Sequence, residues 1–258
     1  LRSLTPTELE QACAAENLTA AGYRIVRKLA TECAREIDRR YPKILRRVGG
    51  YNLDEFTSAD RPFNLARLIV GAEGTLGIVV EARLRLVPLP KAKAVLTIEF
   101  DDLLDALDAT PSILKHGPSS VEVMDRFILD HARENPALDV LRRAVLHGEP
   151  GALLCVELYA DNAGDLSARL DALERDLAER KVGIHTSRAV DPSAQARIWR
   201  LRASALGLSM AMKGDAKSLS FVEDTAVAPE RLRDYIERFL NLVRRHGTRA
   251  GVYAHASV

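Results

Sequence analysis

Apolar and polar positions repeat on two scales along this chain. Over residues 19–40, Tyr23, Val26, Ala30, Cys33 and Ile37 recur every three to four positions, the spacing of one helix face, and the run ends before Pro42. Upstream, Thr5-Pro6-Thr7-Glu8 reads as a capping box with proline at the first helical position. Over residues 80–86 the period drops to two. Val80, Ala82, Leu84 and Leu86 would face one side of a strand and Glu81, Arg83 and Arg85 the other. Lys91-Ala92-Lys93 reads as a linker that divides the chain into residues 1–90 and 91–258.

The second part alternates between the two periods. Strands are predicted at 95–100, 121–124, 153–159 and 219–227, and a last one begins near 251. Helices are predicted after Asp101-Asp102, along the Leu166, Leu170, Leu173, Leu177 stripe, over 194–212, and from Pro229 to Arg244-Arg245-His246. The helix opened by Pro229 would turn Leu232, Tyr235, Ile236, Phe239, Leu242 and Val243 inward, and Gly247 stands where a C-terminal cap favours glycine. This order predicts an α+β fold with helices on one face of an antiparallel sheet.

Composition narrows the function classes. At 258 residues the chain is long enough for one or two cored domains, and 47% hydrophobic with 28% charged residues is ordinary for a globular protein. A net charge of +1 gives no pull toward nucleic acid or an anionic membrane surface. No apolar run approaches the ~18 residues of a membrane span, and the N-terminus lacks a signal-peptide pattern. Cys13, Cys33 and Cys155 are odd in number and lack C-x-x-C spacing. That speaks against a disulfide framework, a zinc knuckle or an iron–sulfur cluster here, and a reducing, cytoplasmic setting is the simplest inference. Nucleophile-elbow, Walker, H-E-x-x-H and complete G-x-G-x-x-G motifs do not occur. The chain starts at Leu1 rather than methionine and stops inside an apolar run, so it is expected to be a piece of a longer polypeptide.

Candidate chemistry concentrates in three places. The first is V-G-A-E-G-T-L-G-I-V at 70–79, with glycines at spacing three. Such a cluster marks either a bulge closing a hairpin or a backbone surface that approaches a flat or charged ligand. The segment resembles the G-S-E-G-T-L-G-I/V string of vanillyl-alcohol-oxidase (PCMH-type) FAD domains, in the branch of D-lactate, glycolate and D-2-hydroxyglutarate dehydrogenases. Pro88 and Pro90 fit that family, as does Gly50-Tyr51-Asn52-Leu53 preceded by Arg46 or Arg47, with Gly49 where serine is frequent. The resemblance implies the C-terminal part of a PCMH-type FAD domain followed by a ferredoxin-like α+β substrate (cap) domain. It places Gly71, Ala72, Glu73, Gly74, Thr75, Gly77, Ile78 and Val79 along the flavin, with Ala72 removing one hydroxyl donor. The family's pyrophosphate loop does not occur in the chain, so these residues alone are expected to bind FAD poorly.

The second place is Ile198-Trp199-Arg200-Leu201-Arg202. By itself Arg202 reads as a solvated helix arginine. The resemblance makes it the arginine that meets the substrate carboxylate, a task suited to a rigid, permanently charged fork. Trp199 reads as a packing anchor. Lys217 is a loop lysine that the resemblance offers to a distal carboxylate, and Asp224 aligns with a family aspartate read as structural. The string from Phe221 to Leu232 also resembles large bacterial dehydrogenases in which flavin and iron–sulfur modules share a polypeptide.

The third is Ala254-His255-Ala256-Ser257-Val258. A strand histidine alone is usually a satisfied core residue. The string resembles the start of a family H-A-S-V-G-x-L-H motif, which makes His255 the first ligand of a zinc-like divalent metal that binds the hydroxy acid and lowers the pKa of its hydroxyl. One imidazole cannot hold zinc, so that site is incomplete here. His116, His131, His147, His185 and His246 show no ligand spacing. The reading that follows is FAD-dependent oxidation of a small D-2-hydroxy acid, with electrons passing to an acceptor such as an iron–sulfur module. A cytoplasmic place, peripheral to the inner membrane through that acceptor, and an oligomer are compatible with it. The alternatives are a flavin-dependent ether-lipid-synthase-like enzyme, which shares the E-G-T-L-G loop, and a non-catalytic domain that kept the fold.

Overall fold

The structure, a computed structural model, describes all residues except 46, 48, 59, 211–214, 216, 221, 224 and 258, and leaves aside the side chains of 206 and 209. It divides into two compact units: Leu1–Leu86 with Val222–Ala226, and Val87–Phe221 with Val227–Val258.

The first unit is helical. Helix α1 (Pro6–Ala14) has the capping box expected of Thr5 and Glu8. Helices α2 (Leu18–Glu32) and α3 (Ala34–Arg40) replace the single helix predicted over 19–40. Cys33 is the joint between them and is exposed, whereas Tyr23, Val26, Ala30 and Ile37 keep the expected buried face. A one-turn 3-10 helix (Leu53–Phe56) and a short α4 (Ala66–Ile69) follow. Phe63 joins them, with its ring 5.0 Å from Phe56 and 6.1 Å from Tyr23, and its carbonyl accepts from the Leu4 amide at 2.9 Å.

The strand predicted over 80–86 does not form. That segment has no ladder among the described residues, and Val80, Leu84 and Leu86 are exposed. Alternation describes which faces a strand would show. It does not supply the partner that must satisfy its backbone groups. The strand predicted over 219–227 is likewise not found among the described residues of that segment; Phe221 and Asp224 lie outside them.

The second unit is built on a five-stranded antiparallel sheet. Its strands are β1 (Ala92–Phe100), β2 (Ser120–Asp125), β3 (Ala152–Ala160), β4 (His185–Ala189) and β5 (Tyr253–His255), in the order β4-β1-β3-β2-β5. Helix α5 (Leu103–Leu114) links β1 to β2, and α8 (Ala163–Arg180) links β3 to β4. The first four strands thus have the β-α-β-β-α-β arrangement of ferredoxin-like folds, with β5 added beside β2. Helices α6 (Arg126–Glu134) and α7 (Pro136–Val145) lie between β2 and β3. Helices α9 (Pro192–Ala203), α10 (Ala205–Met210) and α11 (Pro229–Arg245) follow β4. The helix predicted over 194–212 is therefore interrupted at Ser204, the C-cap of α9.

Helices cover both faces of the sheet, not one. Leu96, Ile98, Val123, Leu154 and Val156 pack on one side with the leucine stripe of α8, the apolar face of α5, and Leu232 and Ile236 of α11. Val95, Met124, Leu153 and Cys155 pack on the other with Ile128 of α6, Ile198 and Leu201 of α9, and Leu208 of α10. The continuous burial of residues 94–100 in β1 and 152–158 in β3 states this physically, since a strand covered on both faces has no solvent side. Leu242 of α11 is exposed, contrary to the inward position expected for it.

Asp125 ends β2 and ties the next elements to it. Its carboxylate accepts from the Ile128 amide at 3.0 Å, capping α6, and from the Val252 amide at 2.8 Å, just before β5. Its own amide donates to the Val252 carbonyl at 3.0 Å. Burial pushes its carboxyl up to about 6, against the backbone amides that pull it down. The folded value lies above the ordinary 3.8, so the folded state holds the proton preferentially. That contribution is fully present below the unfolded value and is lost as pH rises through about 6. Between about pH 4 and pH 7.5, the wild type should lose up to about 3 kcal/mol relative to Asp125→Asn in urea unfolding. A pH-independent difference would contradict this account of Asp125.

Candidate functional site

In the first unit the two loops singled out in the sequence come together. Asn52 donates its side-chain amide to the Val70 carbonyl at 2.9 Å, and the Tyr51 hydroxyl meets Thr75 Oγ1 at 2.9 Å. Thr75 folds back to donate to the Ala72 carbonyl through both its hydroxyl (2.6 Å) and its amide (2.9 Å). The turn runs through left-handed backbone at Gly71 (φ 80°), Glu73 (φ 49°) and Gly74 (φ 76°). A β-carbon placed at Gly74 or Gly77 would meet open space, and Ile78 and Val79 are exposed. Ala72 is buried and acts as the pivot of the turn. This leaves backbone and apolar side chains on an open surface that suits a flat ring system.

Arg47 stands behind the loop. It pairs with Asp54 at 2.6 Å and Glu55 at 3.1 Å, and donates to Asn52 Oδ1 at 3.0 Å. Arg46 lies outside the described residues. A shallow cavity lined by Tyr41, Arg47, Gly49, Gly50 and Tyr51 opens beside it.

In the second unit, strand register assembles a polar row across one face of the sheet, which also carries the buried Glu99 and Glu157. Ser187, Thr97, Cys155, Glu122 and His255 are cross-strand neighbours from β4 through β1, β3 and β2 to β5. Glu122 is the hub. Its Oε2 accepts from Arg202 Nε at 3.2 Å and lies 3.0 Å from Arg202 Nη2, and its Oε1 lies 2.6 Å from His255 Nδ1. The side chain of Glu122 is 8% exposed, that of Arg202 16% and that of His255 52%, so a buried anion faces an increasingly open pair of partners. The Arg202 guanidinium also stands 5.0 Å from the centroid of the Tyr253 ring. Ile198 and Leu201 press α9 onto the sheet, which turns the adjacent Arg202 toward β2. Trp199 packs against that core, as expected of an anchor.

Two of the candidates, Arg202 and His255, are thus brought to one carboxylate. Lys217 lies in the loop after α10 and has an interaction of its own. Glu122 is the residue that sequence reading missed. Its signal was a lone charge inside Val121-Glu122-Val123-Met124, which reads only as a strand. Cys155 sits beside it, and burial, reinforced by the Glu122 charge, pushes its thiol up to about 12. Among the described residues no group of three His, Cys, Asp or Glu side chains could hold a metal. His147 and His185 stack at 3.7 Å near the buried Glu99, away from this row's centre.

Residues 89–257 match the family described as FAD linked oxidases, C-terminal domain. A D-2-hydroxyglutarate dehydrogenase of Pantoea ananatis is 38% identical over 90% of this chain and 24% of its own length. One from Pseudomonas putida is 32% identical over 96% of the chain and 25% of its own length. A D-lactate dehydrogenase of Archaeoglobus fulgidus is 25% identical over 75% of the chain and 40% of its own length. The chain therefore spans about a quarter of the length of the D-2-hydroxyglutarate dehydrogenases it matches.

The closed packing around Cys155, in the buried part of the polar row, has a direct check. All three cysteines are free, and only Cys33 is exposed. A thiol reagent at mildly alkaline pH should modify Cys33 in the native protein and all three after denaturation. Rapid native modification of Cys155 would mean that the row is open to solvent.

Proposed function

The chain belongs to the FAD-linked oxidases, through a C-terminal domain that spans residues 89–257, and on that premise we propose that the polypeptide carrying it oxidises a D-2-hydroxy acid, such as D-2-hydroxyglutarate or D-lactate, to the 2-oxo acid. The observation that carries the reading is the convergence of a guanidinium and an imidazole on Glu122, at one edge of the sheet. Relatives named D-2-hydroxyglutarate dehydrogenase, at 31–38% identity, support it from a second direction.

Arg202 holds the carboxylate next to the reacting carbon. Its charge is permanent, and hydrogen bonds between a guanidinium and a carboxylate are among the stronger ones. Nδ1 of His255 faces Glu122, so Nε2 remains for the substrate side. There it can take the hydroxyl proton or serve as one ligand of a divalent metal. Among the described residues no group of three or more His, Cys, Asp or Glu side chains could complete the site of such an ion. Lys217 is assigned to the second carboxylate of a dicarboxylic substrate. The flavin contact is assigned to residues 71–75 and 77–79, whose left-handed turn and open glycines suit it. Bound FAD supplies the acceptor for the hydride that leaves the substrate carbon. An iron–sulfur module of the same polypeptide is assigned as the next electron carrier. No helix among the described residues is long and apolar enough to cross a membrane.

Two substitutions test this in the flavin-loaded polypeptide that carries these residues. Arg202→Lys should keep flavin but raise KM for the hydroxy acid, with kcat/KM falling about tenfold to a hundredfold, or about 1.5–3 kcal/mol. Unchanged kinetics would return Arg202 to the role of a structural ion-pair partner. Gly74→Val places a β-branched residue at φ 76°, which strains the turn, and should lower the flavin content of the purified protein. Full flavin retention would make the loop a structural turn only.

A further inference from the structure

A buried carboxylate with two cationic or donor partners must divide its oxygens between them, and the division at Glu122 is clean. Oε2 takes Arg202 and Oε1 takes His255. An ionised carboxylate offers acceptors only, so the ring nitrogen at 2.6 Å must be the donor. This places the histidine hydrogen on Nδ1 and leaves the lone pair on Nε2. The same contact acts on Arg202. Its Nε and Nη2 edge is turned toward Glu122, so an incoming carboxylate is left with Nη1 and the outer hydrogen of Nη2. The Tyr253 ring, 5.0 Å from the guanidinium, holds its plane from another side.

We infer that Glu122 is the positioning residue of this site: one carboxylate sets the tautomer of His255 and the edge that Arg202 offers to an anionic substrate. The tautomer half stands on geometry alone; the substrate half rests on the hydroxy-acid reading. Three elements converge to make it possible. β2 carries Glu122, β5 places His255 directly opposite in the ladder, and α9 brings Arg202 over the sheet. Glutamine in place of Glu122 would keep the volume but replace one acceptor oxygen with an NH2 donor. Its oxygen can still accept from Arg202, but its NH2 then faces Nδ1 of His255, which can accept that hydrogen bond only in the Nε2–H form.

The test uses two readouts. The first is the His255 tautomer, read from two-bond proton–nitrogen couplings in the full chain labelled with 15N-histidine, at about pH 8.5, above the ordinary histidine range. Wild type is expected to show the Nδ1–H form, and Glu122→Gln to shift toward Nε2–H with an unchanged circular dichroism spectrum. An Nε2–H tautomer in the wild type overturns the inference without any variant, and so does a tautomer that Glu122→Gln leaves unmoved. The second is KM for D-2-hydroxyglutarate in the flavin-loaded polypeptide, expected to rise about 10- to 100-fold in Glu122→Gln at unchanged flavin content. A shifted tautomer with unchanged KM in an active enzyme overturns the substrate half. A shifted tautomer in a protein whose wild type oxidises no hydroxy acid sinks the functional reading and leaves the positioning role standing.

Discussion

The site depends on the register of a three-residue strand. β5 carries His255, and a shift of one residue would send that ring to the opposite face of the sheet, among the leucines of α5 and α8. So short a strand has little ladder of its own. It is held at both ends instead. Before it, Asp125 exchanges hydrogen bonds with Val252 through both its carboxylate and its backbone. After it, the Ala256 amide donates to the Val121 carbonyl at 2.7 Å. Asp125 meanwhile caps α6, so one carboxylate couples the edge strand to a helix of the second core. Its place in that joint explains why a buried acid is tolerated there.

The held register is what lets a polar row cross a sheet that is covered on both faces. Glu122 would be costly to bury alone. Two partners offset that cost, and the removal of one partner from a buried pair typically destabilises by about 3–5 kcal/mol. Arg202 and His255 are therefore structural partners of Glu122, and under the proposed function they serve the substrate as well. Cys155 fills the neighbouring position with a small, neutral side chain. The gradient of exposure from Glu122 through Arg202 to His255 then gives the row a buried end and an accessible end.

Much of this was legible in the chain. The capping box at Thr5, the stripe of α8, the Pro229 start of α11 and the central strands follow from period and cap chemistry. The glycine loop and the Gly50–Leu53 string were legible as motifs, and their joining through Tyr51 and Asn52 gives the motifs a shared physical purpose. What period could not show was partnership. Val80 to Leu86 alternates but has no ladder in the described residues, and Cys33 lies on an apolar stripe yet sits at a helix joint. The second covered face was hidden because Thr97, Glu99 and Glu157 interrupt the apolar runs of β1 and β3 and read as a solvent side, yet all three are buried. Glu122 escaped notice for a related reason. A single charge in a strand announces an exposed face, and only its position between β3 and β5 shows that it is buried and shared.

The central claim is that an anionic substrate is held at the accessible end of this row, by Arg202 beside an undisturbed Glu122–His255 pair. A crystal structure of the flavin-loaded polypeptide with the 2-oxo acid product bound tests it most directly. The account predicts a product carboxylate in hydrogen-bond distance of Arg202 Nη1, with Glu122 still bridging Arg202 and His255. A product carboxylate held by other cations, with Arg202 still engaged only by Glu122, would contradict it.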